Sequence, residues 1–441
     1  MSNQTKISRR QFLQCAGGMA LGAGVAPMVV PSSLAGKSAQ VLPGDQVVMG
    51  CIGVGWQGTS NMESFLRESD VRIVAVCDVD ENHLQNAKQI VDEHYGNTDC
   101  ATYHDFRELL ARTDIDAVSL GLPDHWHSIP AIQAAEQGKD IYGEKPLSHT
   151  LKEGRSMVTA VERYGRIWQT GSWQRSESNF RFAAELVRNG YIGQVHTVEV
   201  GLPSGHTDFA GTKGQDKIQP SPPELDYEFW LGPAPYSPYI KSRVHKNWRW
   251  YYDFGGGQLM DWVGHHVDIA HWGLGTEYTG PVEIDGTGEF PEDGVWDTAT
   301  RYRVDTVYPN GVKLIMAGGH DDICFGRLGT KWIGEDGWVW VDRSGIDAEP
   351  KSLLQQTIGP DEIQLYKSPG HWRNFIDCVK SRRQTIAPCE VAHRSASPGH
   401  LGLISMLLER KIRFNPETEE ILDDPTATRM LGNSMRSPWA V

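Results

Sequence analysis

Between positions 47 and 78 the chain carries an apolar run, a glycine turn, a helical stretch and a second apolar run that ends on an acid. Val47-Val48-Met49-Gly50-Cys51-Ile52 reads as a buried strand and passes directly into Gly53-Val54-Gly55-Trp56-Gln57-Gly58. Helical spacing from Ser60 to Arg67 follows, and then a second strand, Arg72-Ile73-Val74-Ala75-Val76-Cys77, that stops at Asp78. The acid lies about 20 residues past the last glycine, the separation at which a carboxylate reaches an adenosine ribose. Gly53 permits the tight turn, Gly55 lets backbone amides approach a pyrophosphate, and Gly58 lets the helix sit against the strand with its N-terminus facing the phosphate charge. The unit predicts a dinucleotide-binding fold. A carboxylate at Asp78 accepts from a 2'-hydroxyl and repels a 2'-phosphate, and Val79-Asp80 adds no cation, so NAD is favoured over NADP.

With 441 residues, 39% of them hydrophobic, the chain is long enough for two domains with separate cores. A net charge of -14 argues against nucleic acid or an anionic membrane as partner. Ser8-Arg9-Arg10-Gln11-Phe12-Leu13 precedes a weakly apolar, glycine-rich stretch ending near Ser33-Leu34-Ala35. This predicts a twin-arginine signal over 1–35, hence a periplasmic or otherwise exported protein that folds and loads its nucleotide first, with no membrane insertion after signal removal. Of seven cysteines, Cys15 falls in the leader and Cys51 and Cys77 in buried strands, so free thiols are expected. No Cys-x-x-Cys pair supports zinc.

From 45 to 168 apolar strands alternate with helical stretches, the pattern of a doubly wound parallel sheet. Strand Ala117 to Leu122 leads into Pro123-Asp124-His125-Trp126-His127, and strand Asp140-Ile141-Tyr142 leads into Gly143-Glu144-Lys145-Pro146; such strand ends are where ligands bind. From 169 to 441 the spacing changes to longer alternating strands and helices, an α+β domain with a largely antiparallel open sheet. Gln194 to Leu202 reads as a strand, Ala299 to Val307 and Lys313 to Gly318 as a hairpin, Lys331 to Val341 as strands with turns, and 370–380 and 396–410 as helices. Gly205 to Lys246, rich in proline, glycine and aromatics, reads as a long loop over a site.

Gly255 to Gly257 open a helix on which Asp261, His265 and Asp268 share one face. The glycine fingerprint, Glu144-Lys145-Pro146 and this Asp-His-Asp pattern together resemble the glucose-fructose oxidoreductase, inositol dehydrogenase and rhizopine-catabolism (Gfo/Idh/MocA) family over nearly the whole mature chain. Val263 departs from the glycine common there. The resemblance implies that Lys145 lies between nicotinamide and substrate, often before a cis proline, with Asp261 and His265 facing it. Secondary-alcohol oxidation needs a base for the hydroxyl proton and a cation for the developing alkoxide, roles that suit His265 and Lys145, with Asp261 orienting a hydroxyl or the histidine. The helical face together with His125 and His127 also invites a metal reading, which is disfavoured because NAD itself accepts the hydride.

Expected cofactor contacts are Gly53, Val54, Gly55, Trp56, Gln57, Gly58, Asp78, Leu122, Pro123, His127, Glu144, Lys145 and Gln174. Expected substrate contacts are Lys145, Arg175, His206, Arg249, Asp261 and His265. The sequence thus predicts an NAD-dependent oxidoreductase for a secondary hydroxyl of a sugar, glycoside or cyclitol, with tightly held cofactor and self-association through the open sheet. Two alternatives stay open: a glycoside hydrolase working by transient C3 oxidation and elimination, and a non-catalytic sugar-binding protein.

Overall fold

The computed structural model describes residues 45–441, so the export signal expected over 1–35, with Cys15, lies outside the described residues. Parallel strands β1 (Val47–Ile52), β2 (Val71–Cys77), β3 (Ala101–Tyr103), β4 (Ala117–Leu120), β5 (Asp140–Gly143) and β6 (Trp168–Thr170) form one sheet in the order β3-β2-β1-β4-β5-β6. Helices α1 (Trp56–Leu66), α2 (Glu81–Tyr95), α3 (Phe106–Leu110), α4 (Ser128–Glu136) and α5 (Leu151–Arg163) connect them. A parallel sheet of this kind is covered on both faces, and all four residues of β4 are buried. Strand order reverses between β1 and β4, which opens a crevice at their carboxyl ends. Strand β6 carries the first sheet through Thr170, slightly beyond the expected end at 168.

The rest of the chain builds a second sheet. Its strands are β7 (Val195–Leu202), β8 (Glu283–Glu289), β9 (Arg301–Val307), β10 (Lys313–Gly318), β11 (Gly329–Gly334), β12 (Trp338–Asp342), β13 (Gly345–Glu349), β14 (Ile412–Asn415) and β15 (Glu420–Leu422). They run in the order β13-β12-β11-β7-β10-β9-β8-β14-β15, with the β7-β10 pair parallel and the remaining registered pairs antiparallel. Strands β9 and β10 are the expected hairpin, paired from Lys313–Val307 to Gly318–Tyr302.

Helices α6 (Ser178–Arg188), α7 (Tyr227–Leu231), α8 (Gly257–Leu274), α9 (His371–Ser381) and α10 (Cys389–Leu408) complete the set used below. Val263, Val267 and Ala270 of α8 join Val198, Val200 and Trp332 of the sheet in one apolar core. The glycine at C' of α8, Gly275, has φ +72, and its N–H caps the His271 carbonyl, so the helix stops where a left-handed residue is available. Helix α9 returns to the first domain, where Phe375 and Ile376 pack with Met49, Phe65 and Tyr142. All six described cysteines are free and buried, as expected.

The connection from β7 to α8 has its own apolar cluster, including Trp230, Trp248, Trp250 and Phe254. It is fastened across the crevice. Glu81 N–H donates to Glu224 O (2.8 Å), Asp226 N–H donates to Val79 O (3.0 Å), and Asp80 bridges to Leu225. The C-terminal tail holds this strap in turn, since Arg436 N–H donates to Pro233 O (2.9 Å) and Trp439 stacks on Phe229 at 5.5 Å. No helix among the described residues is long and apolar enough to cross a membrane.

Candidate active site

A cavity of about 410 Å³ follows the crevice, lined at one end by Asp78, His83 and Leu225 and at the other by Lys145, Asp261 and His265. The glycine loop forms its floor, and its backbone leaves no room for side chains. A Cβ on Gly58 would stand 1.8 Å from Gly53 O, and one on Gly53, where φ is +75, would stand 2.6 Å from Gly121 O. Helix α1 therefore begins tight against β1 and β4. Its first turn has no side-chain cap and no acid, which leaves its opening amides for a pyrophosphate. Asp78 fixes the loop as well as facing the cavity: its Oδ2 accepts Val54 N–H (2.8 Å) and its Oδ1 accepts Asp80 N–H (2.9 Å). These residues fit NAD. Trp56, Gln57, Gly55, Leu122 and Pro123 line the cavity too, whereas Val54 contributes its backbone and buries its side chain.

Two imidazoles stand beside Asp78 and Asp80, and burial lowers the pKa of the one from His245. His83 Nδ1 lies 3.8 Å from Asp78 Oδ1, which raises the imidazole pKa, and His245 packs edge-on to His83 at 5.1 Å. Lys246, beside His245, stands 4.6 Å from the Trp56 ring. Val79-Asp80 gives no hint of this, because His245 and Lys246 arrive on the strap. Asp80, His83 and His245 have donor atoms within 4.8 Å of one another, but Asp80 Oδ1 already caps α2 through Asn82 and His83 N–H.

At the other end, β5 runs into Lys145, whose peptide bond to Pro146 is cis. Lys145 Nζ donates to Asp261 O (2.7 Å) and Oδ1 (2.9 Å), and Arg249 Nε donates to the same Oδ1 (3.0 Å). Although burial opposes it, the two cations hold the Asp261 carboxyl far below the usual carboxylate range. His265, one turn along α8, is 6% exposed; burial, then Lys145 and Arg343, push its pKa well down, so the imidazole is neutral at pH 7. Its Nδ1 has no protein partner among the described residues. The rings of Trp262 and Trp173 flank it edge-on, centroids 5.5 and 6.5 Å away.

Two close approaches set this geometry. A Cβ on Gly264 would meet Lys145 Cβ at 2.8 Å, so α8 can lie against the lysine stem only through a glycine. Glu144 is buried, accepts Asn61 Nδ2–H (2.8 Å), and has its pKa raised by burial against the pull of Lys145. Asn61, on α1, joins the glycine helix to the lysine strand.

Several expected contacts fall elsewhere. Arg175 is buried beside α8, where Nε meets Asp268 Oδ2 (2.5 Å) and Nη1 meets Glu277 Oε1 (2.7 Å); it is a structural ion pair rather than a substrate ligand. Asp268 shares the helical face of Asp261 and His265 but spends its carboxylate on Arg175 and Ser395, which removes the three-ligand metal face. His206 turns from the cavity to Thr298 O (2.9 Å) and stacks on Trp250. Gln174 is fully buried and does not line the cavity. His127 lies behind the cavity, its ring nitrogens 2.7 Å from Pro146 O and 2.8 Å from Leu122 O, and so ties the loops after β4 and β5 together. His125 faces Trp230 O, away from Lys145. The loops were legible as loops, but which side of them faces the cavity is decided by packing.

Residues 47–172 match the family model described as the NAD-binding Rossmann fold of the GFO_IDH_MocA oxidoreductase family, and residues 177–441 match that family's C-terminal alpha/beta domain. The chain belongs to the Gfo/Idh/MocA oxidoreductase family. Among Gfo/Idh/MocA relatives, the uncharacterized oxidoreductase YrbE of Bacillus subtilis is 27% identical over 277 residues, covering 62% of this chain and 66% of that protein. A glycosyl hydrolase family 109 protein of Shewanella baltica is 32% identical over 206 residues, 43% of this chain and 44% of that one. The chain thus spans less than two thirds of the length of these curated relatives. The aldose-aldose oxidoreductase of Caulobacter crescentus, solved with glycerol, superposes with a TM-score of 0.60 at 17% identity over 84% of this chain and 100% of that one, a likeness of fold.

Proposed function

We propose that the protein oxidises a secondary hydroxyl of a sugar, glycoside or cyclitol with NAD that stays bound between turnovers, after export by the twin-arginine route. The observation that carries this reading is the placement of a neutral His265 beside the Lys145-Asp261 pair, at the far end of a cavity that begins on the glycine loop. NAD, when bound, accepts the hydride. His265 takes the hydroxyl proton, Lys145 offers positive charge to the oxygen, and Asp261 aims the lysine and holds Arg249 beside it. Trp173 and Trp262 wall the cavity beside His265. The aldose-aldose oxidoreductase of the same fold supports a carbohydrate substrate.

Retention of the nucleotide is supported by the strap, which closes the adenosine end through the Val79 and Glu81 backbone and is itself pinned by Arg436 and Trp439. Self-association through the sheet face turned away from α6, α8 and α10 belongs to the same reading. The Shewanella relatives favour a second reading, in which oxidation is transient and a glycosidic bond is cleaved. One experiment separates them. Mass spectrometry of what denatured protein releases identifies the nucleotide, and sugars and aryl glycosides are then supplied without added NAD. A keto sugar with NADH absorbance is expected; released phenol without net NADH moves the assignment to hydrolysis, and protein carrying no nucleotide overturns both.

A further inference from the structure

Arg343 stands apart from the other cations of the cavity. Lys145 and Arg249 share Asp261, and Lys246 and Arg249 lie over Trp56 at the glycine loop, near the expected pyrophosphate. Arg343, from the turn between β12 and β13, makes no hydrogen bond or ion pair with any of the described residues, although it lines the same cavity. It is exposed, which puts it at the rim. Its guanidinium carbon is 4.5 Å from the Trp173 ring centre and 4.9 Å from that of Trp262, the two indoles that also flank His265. Contacts of that length restrain a guanidinium that would otherwise sample many rotamers.

The turn itself is firm. Asp342 Oδ1 accepts Ser344 N–H (2.7 Å), Ser344 Oγ–H (2.6 Å) and Gly345 N–H (3.1 Å), so that oxygen of the adjacent acid is occupied by the turn. The cavity carboxylate beside Lys145, Asp261, is already engaged by Lys145 and Arg249, and Glu144 accepts from Asn61. Arg343 is therefore a planar donor fork with no acid paired to it among the described residues, held beside the proposed base.

We infer that Arg343 receives a carboxylate on the substrate, and that the substrate class is a sugar acid such as a hexuronate rather than a neutral hexose. The inference rests on the carbohydrate-oxidoreductase reading and adds the charged group. A guanidinium pairs a carboxylate through two parallel hydrogen bonds, and a single arginine matches that monoanion, whereas a phosphate dianion draws several cations. With the carboxylate at Arg343, the rest of the sugar extends along the cavity toward His265 and Lys145.

Calorimetric titration of the NAD-loaded full-length protein with glucuronate and galacturonate, against glucose and galactose, tests this. Each uronate is expected to bind about tenfold to a hundredfold more tightly than its parent hexose, the range for a charge-assisted pair. Arg343→Gln should abolish that ratio and Arg343→Lys should keep part of it, with melting temperatures little changed because the side chain makes no hydrogen bond or ion pair and loses only exposed contacts with Trp173 and Trp262. Equal binding of uronate and hexose by the wild-type protein, no uronate binding, or a ratio that persists in Arg343→Gln overturns the inference. Product analysis in the same samples separates the two readings. Uronate preference without keto product or NADH removes the oxidoreductase reading and leaves Arg343 as an anion receptor, while oxidation of hexoses with no uronate preference does the reverse.

Discussion

Arg175→Ala distinguishes a substrate contact from a buried support. Arg175 and Asp268 side chains are each 2% exposed, and the pair is joined by Nε–Oδ2 (2.5 Å) and Nη2–Oδ1 (3.0 Å) contacts, with Glu277 on the remaining nitrogen. Truncation strands the Asp268 carboxylate, to which Ser395 Oγ still donates (2.8 Å), in a site that water reaches poorly. Removing one member of such a pair costs about 3–5 kcal/mol, because the survivor keeps its desolvation penalty without its partner. At a urea dependence of about 3 kcal/mol per molar, the unfolding midpoint falls by about 1 to 1.7 M. The assay is urea unfolding of the NAD-loaded protein followed by circular dichroism. A double change, Arg175→Met with Asp268→Leu, should recover most of the loss, since a well-packed apolar pair replaces a buried ion pair at little net cost. An unchanged midpoint in Arg175→Ala, together with weakened sugar binding, would refute the structural assignment.

Lys145→Ala and His265→Ala should each lower turnover by at least about a hundredfold with NAD still bound, and the double variant should be little worse than the poorer single one, because both groups act in one transition state; near-normal turnover in either single variant removes that residue's role. Asp78→Asn should raise NADP affinity relative to NAD by about tenfold, since loss of the charge removes the repulsion of a 2'-phosphate and leaves His83 to meet it, whereas Asp78→Ala also frees Val54 N–H and weakens both nucleotides. An unchanged NAD/NADP ratio in Asp78→Asn contradicts the ribose assignment. Burial lowers the pKa of His125 to about 3 and of His149 and His371 to about 4, with His266, His271 and His400 at about 3. Unfolded imidazoles take up protons below about 6.5, so stability is full above that pH and is lost toward pH 4, at up to about 1.4 kcal/mol per pH unit for each histidine. Glu153, raised to about 7, and Asp297, raised to about 6, act oppositely, because their unfolded carboxyls ionise first as pH rises. The histidines outnumber them, and the urea midpoint should fall between pH 7 and pH 5; a rise would show that the acids dominate. Replacing Arg9 and Arg10 by lysines should leave folded, NAD-loaded protein in the cytoplasm, and normal export of that variant points to another route.

What the sequence determined by itself is local or periodic. Gly53 and Gly58 are needed because a backbone turn, a strand and a helix meet within a few ångströms, and Asp78 follows because a strand of fixed rise ends where it must. The Asp261 to His265 spacing is one helical turn, so their shared direction was readable before any packing was known. The second sheet's hairpin followed from alternation and a turn. Facing was not readable in the loops. Trp173, Gln174 and Arg175 are consecutive, yet Trp173 lines the cavity, Gln174 is sealed, and Arg175 turns to Asp268. Asp268 has the right spacing for the catalytic face, but its place further along α8 gives it a buried arginine instead of the cavity. His245, Lys246 and Arg343 reach the site only because the strap docks on Val79 and Glu81 and the β12-β13 turn lies beside α8. Backbone periodicity fixes which residues share a direction within one element, whereas the choice of what lies opposite them depends on how separate elements pack, and that information is nonlocal.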